Sequence, residues 1–442
     1  MKGTIVTGSG QQLYARARHL IPGGTQLLSK RPEMHLPDLW PAYYERASGD
    51  EIWDLDGRRY VDMSYSGIGA CVLGYADPDV DAAVRGALER GTMSTLNCPE
   101  EVELAELLIE LHPWAEMARY TRSGGEAMAL AIRIARAATG RDVIAFCGYH
   151  GWHDWYLSAN LGDADRLDGH LLPGLEPAGV PRRLAGTARP FRYNRVEELE
   201  AIVSEDGDRL GAVVMEPIRG QRPEGEFLER VRAIARRCGA VLVFDEITAG
   251  WRLCSGGAHH VLGVAPDVAV FAKGMSNGYP MAAVIGTRAV MDAAQSSFIS
   301  STYWTERIGP TAALATIRKF RSQAVEKRLD EVGRRVQEGW RRAGAEHGLA
   351  LRVDGIAPLG HFAFEIPDAS AARTLFTQLM LERGFLAAPA FYAMQAHRDE
   401  HIDDYLESVR ECFGVIAEAA RAGDLRERLR GPIAHSGFGR LT

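Results

Sequence analysis

Two neighbouring stretches decide the fold: Ala240–Gly250, AVLVFDEITAG, and Val268–Pro280, VAVFAKGMSNGYP. Each opens on an unbroken apolar run of strand length, AVLVF at 240–244 and VAVF at 268–271. Each run then meets residues that can do chemistry, Asp245-Glu246 after the first and Lys273-Gly274 just beyond the second. Upstream, Gly211–Met215 (GAVVM) is a third such run, and Phe227, Val231 and Ile234 recur at helical spacing before Gly239. Strand, helix and strand in this order make a βαβ unit. Strands apolar on both faces belong to a parallel sheet covered on both sides. The expected fold class is α/β with a mostly parallel central sheet.

Further out, Val143–Phe146 reads as another buried strand, and Glu126–Ala138 as a helix stopped by Gly140 and preceded by Ser123-Gly124-Gly125. After about residue 320 the pattern changes to long charged helices, 324–347 and 400–420. These are expected to join the N-terminal stretch in a smaller α+β domain, giving a large domain at 60–322 and a small one from 1–59 and 323–442. Residues 161–194 are rich in Gly and Pro with little periodicity, which suits a mobile lid better than a structureless filler.

Whole-chain properties narrow the function. With 442 residues, 46% hydrophobic, the chain can bury a substantial core, and a net charge of −7 disfavours nucleic acid or an anionic membrane as partner. No run is long enough to span a bilayer, and residues 1–20 lack the apolar centre of a secretory signal, so a cytoplasmic protein is expected. Six scattered cysteines without a CxxC pair read as reduced thiols. His150 and His153, and His259 and His260, lie close in sequence but have no matching ligand set, so no metal is expected.

Lysine is scarce. Only Lys2, Lys30, Lys273, Lys319 and Lys327 occur among 51 basic residues. Lys273 directly follows a buried strand, where a charged group is costly without a task. In an open parallel sheet, ligands sit beyond the carboxyl ends of the strands, so Lys273 and Asp245 face one crevice. A lysine amine made neutral by burial can attack an aldehyde and form an imine, and a carboxylate against a pyridine nitrogen keeps that nitrogen protonated. Pyridoxal 5′-phosphate (PLP) needs both groups, and a phosphate anchor besides. Ser123-Gly124-Gly125 offers a hydroxyl and free N–H groups at the positive end of a helix dipole. Within GYHGWHDWY (148–156), Tyr149 is the candidate to stack on a flat ring.

These residues resemble the class III aminotransferases, in particular their glutamate-1-semialdehyde aminomutase-like branch. The likeness covers nearly the whole chain: LIPGGTQ (20–26), EIWDLDGRRYVDM (51–63), GYADPDV (74–80), RYTRSGGEAMALAIRIARAATGRD (119–142), GYHG (148–151), EP (216–217), FDEITAG (244–250) and FAKGMSNGYP (271–280). The resemblance implies the PLP fold of type I and a homodimer with shared active sites. It implies small-molecule partners, an amino donor and a carbonyl acceptor. Lys273 then matches the lysine that holds PLP, Asp245 the partner of the pyridine nitrogen, and Ser123 and Gly124 the phosphate contacts. Gly125 stands where relatives often carry threonine, which removes one side-chain contact to the phosphate. Tyr149 and Ile247 match the groups on the two ring faces, and Thr302 the threonine that reaches the phosphate of the neighbouring subunit.

Departures from the family pattern bear on the substrate. Gln221 replaces the glutamate that in many members pairs with an arginine, and is expected to hydrogen-bond the ring oxygen of the cofactor instead. FLAAPAFYAMQAH (385–397) contains neither that arginine nor the glutamate of the aminomutases. Lys30, Arg31, Arg219 and Arg222 remain as candidate substrate anchors. The leading expectation is amino transfer to a keto or aldehyde substrate, such as a hydroxylated cyclic or sugar-like ketone. The alternatives are an aminomutase and, in a different class, a non-catalytic binding protein on the same scaffold, against which the pairing of Asp245 with Lys273 argues.

Overall fold

The computed structural model describes residues 8–163, 165–170 and 173–437. Contacts divide the chain into two compact units, Met1–Asp77 with Arg328–Thr442, and Pro78–Lys327.

The second unit is built on a seven-stranded sheet. Its strands in chain order are β1 (Met117–Thr121), β2 (Val143–Cys147), β3 (Ala188–Pro190), β4 (Leu210–Met215), β5 (Val241–Asp245), β6 (Val268–Phe271) and β7 (Ala282–Gly286). They lie side by side as β1-β7-β6-β5-β4-β2-β3. Strands β3, β2, β4, β5 and β6 pair in parallel, while β7 runs antiparallel to both β6 and β1. All strands but β7 therefore end at the same edge.

The unbroken apolar runs are explained by cover on both faces. In β2, Ile144 and Phe146 pack into one core with helix α1 (Gly124–Thr139), through Met128, Leu130, Ile132 and Ile134. Val143, Ala145 and Cys147 face the other core, with Val231 and Ile234 of helix α2 (Phe227–Cys238). Both helices end where the sequence places a glycine, because Gly140 (φ 66°) and Gly239 (φ 64°) take the left-handed conformation that closes a helix.

The other unit carries two small sheets. Tyr44–Ser48, Glu51–Asp54 and Arg59–Met63 form an antiparallel meander that Phe385–Ala387 joins in parallel. Leu351–Asp354, Leu359–Phe364 and Ala390–Tyr392 form the second, and the helices Val325–His347 and Asp399–Ala422 supply the long charged segments. Pairing of Arg59–Met63 with strands on both sides carries this unit past residue 60, to Asp77. Segment 161–194 holds the one-turn helix Arg182–Leu184 and strand β3, and buries Leu167; residues 164, 171 and 172 of the expected lid lie outside the described residues. Among the described residues, no helix is long and apolar enough to cross a membrane.

Candidate active site

Five loops meet at the edge where the parallel strands end. β5 ends on Asp245, and β6 runs through Ala272 to Lys273. β2 is followed by Gly148–Gly151, β4 by Glu216, and β1 by Ser123 at the start of α1. One edge of one sheet thus gathers residues spread over 150 positions of chain, as a parallel topology requires.

Lys273 has φ 43°, in the left-handed region, which a non-glycine residue occupies at a cost. Its amine donates to Thr248 Oγ1 at 2.8 Å. Burial lowers its pKa from 10.5 to about 8; the Arg219 guanidinium adds to this, and the Glu216 and Asp245 carboxylates oppose it. Such an amine is neutral far more often near physiological pH than an ordinary lysine, which makes it a better nucleophile.

Asp245 is 3% exposed and fully engaged. One carboxylate oxygen accepts from the Ile247 N–H at 3.0 Å, and the other lies 2.7 Å from His150 Nδ1. His150 Nε2 faces the Cys147 carbonyl at 3.0 Å, so both ring nitrogens point at oxygens and the imidazole is held in one orientation. In sequence, His150 and His153 only lie close together. That β2 and β5 would bring His150 to Asp245 is a product of strand order.

The start of α1 is a capping box: the Ser123 hydroxyl accepts from the Glu126 N–H at 3.5 Å, and the Glu126 carboxylate accepts from Ser123 N–H at 3.0 Å. Gly124 faces Ile247, whose Cδ1 would stand 2.9 Å from any Cβ at that position. The turn after β2 needs glycine at both ends, since Gly148 has φ 112° and Gly151 φ 98°. Between them, the Tyr149 N–H donates to Glu216 Oε2 at 3.4 Å, and its ring meets Tyr156 edge-on at 5.8 Å. Burial pushes the Tyr149 phenol above its ordinary pKa.

Beside this group is a cavity of about 650 Å³, lined by His170, Tyr193, Asn194, Glu216, Arg219 and Gln221 among others. Arg219 donates to both oxygens of Glu216, at 3.1 and 3.4 Å. His170 comes from the segment read as a lid and accepts from the Gly148 N–H at 3.1 Å; burial lowers its pKa to about 4.

Four candidates remain. Arg222 is exposed, and Thr302 is exposed in the one-turn helix Thr302–Thr305. Lys30 and Arg31 belong to the other unit, at the one-turn helices Leu28–Lys30 and Pro32–Met34. Sequence reasoning did not single out Thr248, whose role follows from where the Lys273 side chain reaches. It also did not connect His112 with His259 and His260, which lie together so that their ring nitrogens fall within 4.8 Å of one another. His112 Nε2 accepts from Gly257 N–H at 3.1 Å, and His259 Nδ1 pairs with Glu246 at 2.8 Å, which ties these two buried rings into the core, while His260 is exposed.

Comparison with known proteins places the chain. The sequence model of the family described as Aminotransferase class-III matches residues 35–413. Glutamate-1-semialdehyde 2,1-aminomutase of Syntrophobacter fumaroxidans is 33% identical over 92% of this chain and 97% of its own length. The 2′-deamino-2′-hydroxyneamine transaminase of Streptomyces kanamyceticus is 31% identical over 85% of this chain and 92% of its own. Among solved structures, the PLP-bound FumI protein of Sphingopyxis sp. superimposes with a TM-score of 0.84 at 27% identity, covering 93% of this chain and 97% of that one. The chain therefore belongs to the class III aminotransferases, PLP-dependent enzymes of fold type I.

Proposed function

We propose that Lys273 is the residue that binds PLP and that the enzyme moves an amino group from an amino donor to a keto or aldehyde group. The observation that carries this reading is a buried amine, lowered to about 8, at the same sheet edge as a buried carboxylate. The residues fit the cofactor at each of its functional groups. An aldehyde needs an uncharged amine, which burial of Lys273 supplies. A pyridine nitrogen needs a fixed anion, and Asp245 is fixed by His150 and the Ile247 N–H. A phosphate needs N–H donors that can be closely approached, and Ser123, Gly124 and Gly125 open α1 with no side chain on the two glycines. Tyr149 and Ile247 would hold the ring from its two faces, with Gln221 at the ring oxygen.

When bound, PLP supplies an electron sink that stabilises negative charge at the substrate carbon. The chain supplies the rest. The Asp245 carboxylate would keep the proton on the pyridine nitrogen, and Lys273, once its amine is free, would carry a proton to and from the substrate carbon. Thr248 orients that amine by accepting its hydrogen bond.

For the substrate, we favour a hydroxylated cyclic or sugar-like ketone. The cavity at the loops after β2 and β4 offers His170, Tyr193, Asn194 and Gln221 as hydrogen-bonding groups, and the charge of Arg219 is already met by Glu216. The similar transaminase acting on a hydroxyneamine supports the same class. The likeness to an aminomutase supports a second reading, turnover of an amino aldehyde with no external donor. A homodimer with shared sites fits the strongly exposed apolar side chains Leu96, Phe298 and Tyr303, and would give Thr302 access to a neighbouring phosphate.

The test reads the cofactor directly. Borohydride reduction with PLP should fix the cofactor on Lys273, as located by mass spectrometry. Amino donors should convert bound PLP to pyridoxamine phosphate, and true acceptors should reverse it. Lys273→Ala should lower turnover by at least about 10²–10⁴-fold, the usual loss of a catalytic acid–base group. Native-rate turnover by that variant would refute the assignment, and turnover without donor or acceptor would favour the aminomutase.

A further inference from the structure

His153 Nδ1 is buried and has no hydrogen-bond partner among the described residues. Buried polar atoms without partners are rare in native proteins, because each forfeits its hydration without replacement. As the residue before the one-turn helix Asp154–Leu157, His153 makes no capping bond with its side chain. Its position has a clear cause. Gly151 packs on α1, since a Cβ on it would lie in van der Waals contact with Gly125 Cα, at 3.4 Å. The turn after β2 thus lies against the first turn of α1. A Cβ on Gly125 would in turn lie 3.0 Å from His153 Cε1 and 3.1 Å from His153 Nδ1. The imidazole therefore fills the volume that a side chain at 125 would use. Trp152 stacks on it at 4.5 Å and 27°, which sets the ring plane.

Resting on the reading of this edge as the PLP site, we propose that His153 is a side-chain ligand of the cofactor phosphate, donating from Nδ1 in place of the hydroxyl that Gly125 lacks. The first turn of a helix leaves its N–H groups without intrahelical partners. An anion held there by Gly124 and Gly125 lies beside His153 Nδ1, a buried ring nitrogen in reach of position 125. The phosphate satisfies that nitrogen, and the missing contact at 125 is replaced from a different loop.

The experiment compares PLP with pyridoxal, which lacks the phosphate, by equilibrium titration of the cofactor-free protein. His153→Ala should raise the Kd for PLP by about 10- to 100-fold, the range for a hydrogen bond to a charged group, and leave the Kd for pyridoxal unchanged. His153→Asn, with an amide N–H near the position of Nδ1, should retain most of the affinity. Adding Gly125→Thr to His153→Ala should restore PLP binding, because the new hydroxyl enters the volume the ring vacated. An unchanged Kd for PLP in His153→Ala overturns the proposal, and so does a parallel loss for PLP and pyridoxal, which marks a purely structural role. If the native protein takes up no PLP on Lys273, the site assignment itself fails, a result seen before any variant is made.

Discussion

Lys273 draws its reactivity from surroundings that favour the uncharged amine. Burial and Arg219 lower its pKa to about 8, against the pull of Glu216 and Asp245. Below that pH the amine is protonated and cannot attack, and above it the amine is free. The rate at which cofactor-free protein captures PLP should therefore rise with pH through about 8 and then level off, rather than climbing toward 10.5. Competitive labelling of Lys273 across pH, read by mass spectrometry, checks this; an ordinary lysine profile would show that burial does not act on the amine. Thr248 accepts from Nζ at 2.8 Å and so favours the ammonium form. Thr248→Val should move the midpoint downward, with Thr248→Ser restoring it.

At the scale of elements, the site depends on how tightly the start of α1 meets its neighbouring loops. Gly124 is the first residue of the helix, where alanine would ordinarily stabilise by up to about 1 kcal/mol. Here the added Cβ would lie 2.9 Å from Ile247 Cδ1, the mobile end of that side chain. Gly124→Ala should leave thermal stability nearly unchanged while raising the Kd for PLP several-fold, because Ile247 must leave its place. Ile247→Val removes the clashing methyl, so the double variant should regain affinity. No recovery would mean that Gly124 matters through its backbone alone.

Across the sheet-bearing unit, the buried His112 ties the end of helix Glu100–Leu111 to the loop after β5. Burial lowers the His112 pKa to about 3, helped by His259 and His260 and opposed by its bond to the Leu108 carbonyl. The folded protein thus refuses a proton that the unfolded chain accepts near 6.5. Stability should be full above that pH and decline as pH falls toward 3. Between pH 7 and 4.5 the loss from this one group is roughly 2–3 kcal/mol. Denaturant unfolding at the two pH values measures it, and His112→Asn should flatten the dependence. An equally steep decline in that variant would place the acid sensitivity elsewhere.

The sequence by itself determined the strands, the helices and the type of chemistry. Apolar runs such as AVLVF and VAVF suit strands buried on both faces, as in a covered parallel sheet. A scarce lysine and an acid at the ends of such runs can then share one crevice. The motifs were dense enough to carry the family as well. Tertiary structure alone decided which side chains meet. His150 reaches Asp245, His153 fills the space at Gly125, and His112 joins His259, each across long stretches of chain. These contacts follow from strand order and from the depth to which one loop packs on another. Periodicity and local propensity carry no record of either, because they describe each segment against its own neighbours in sequence.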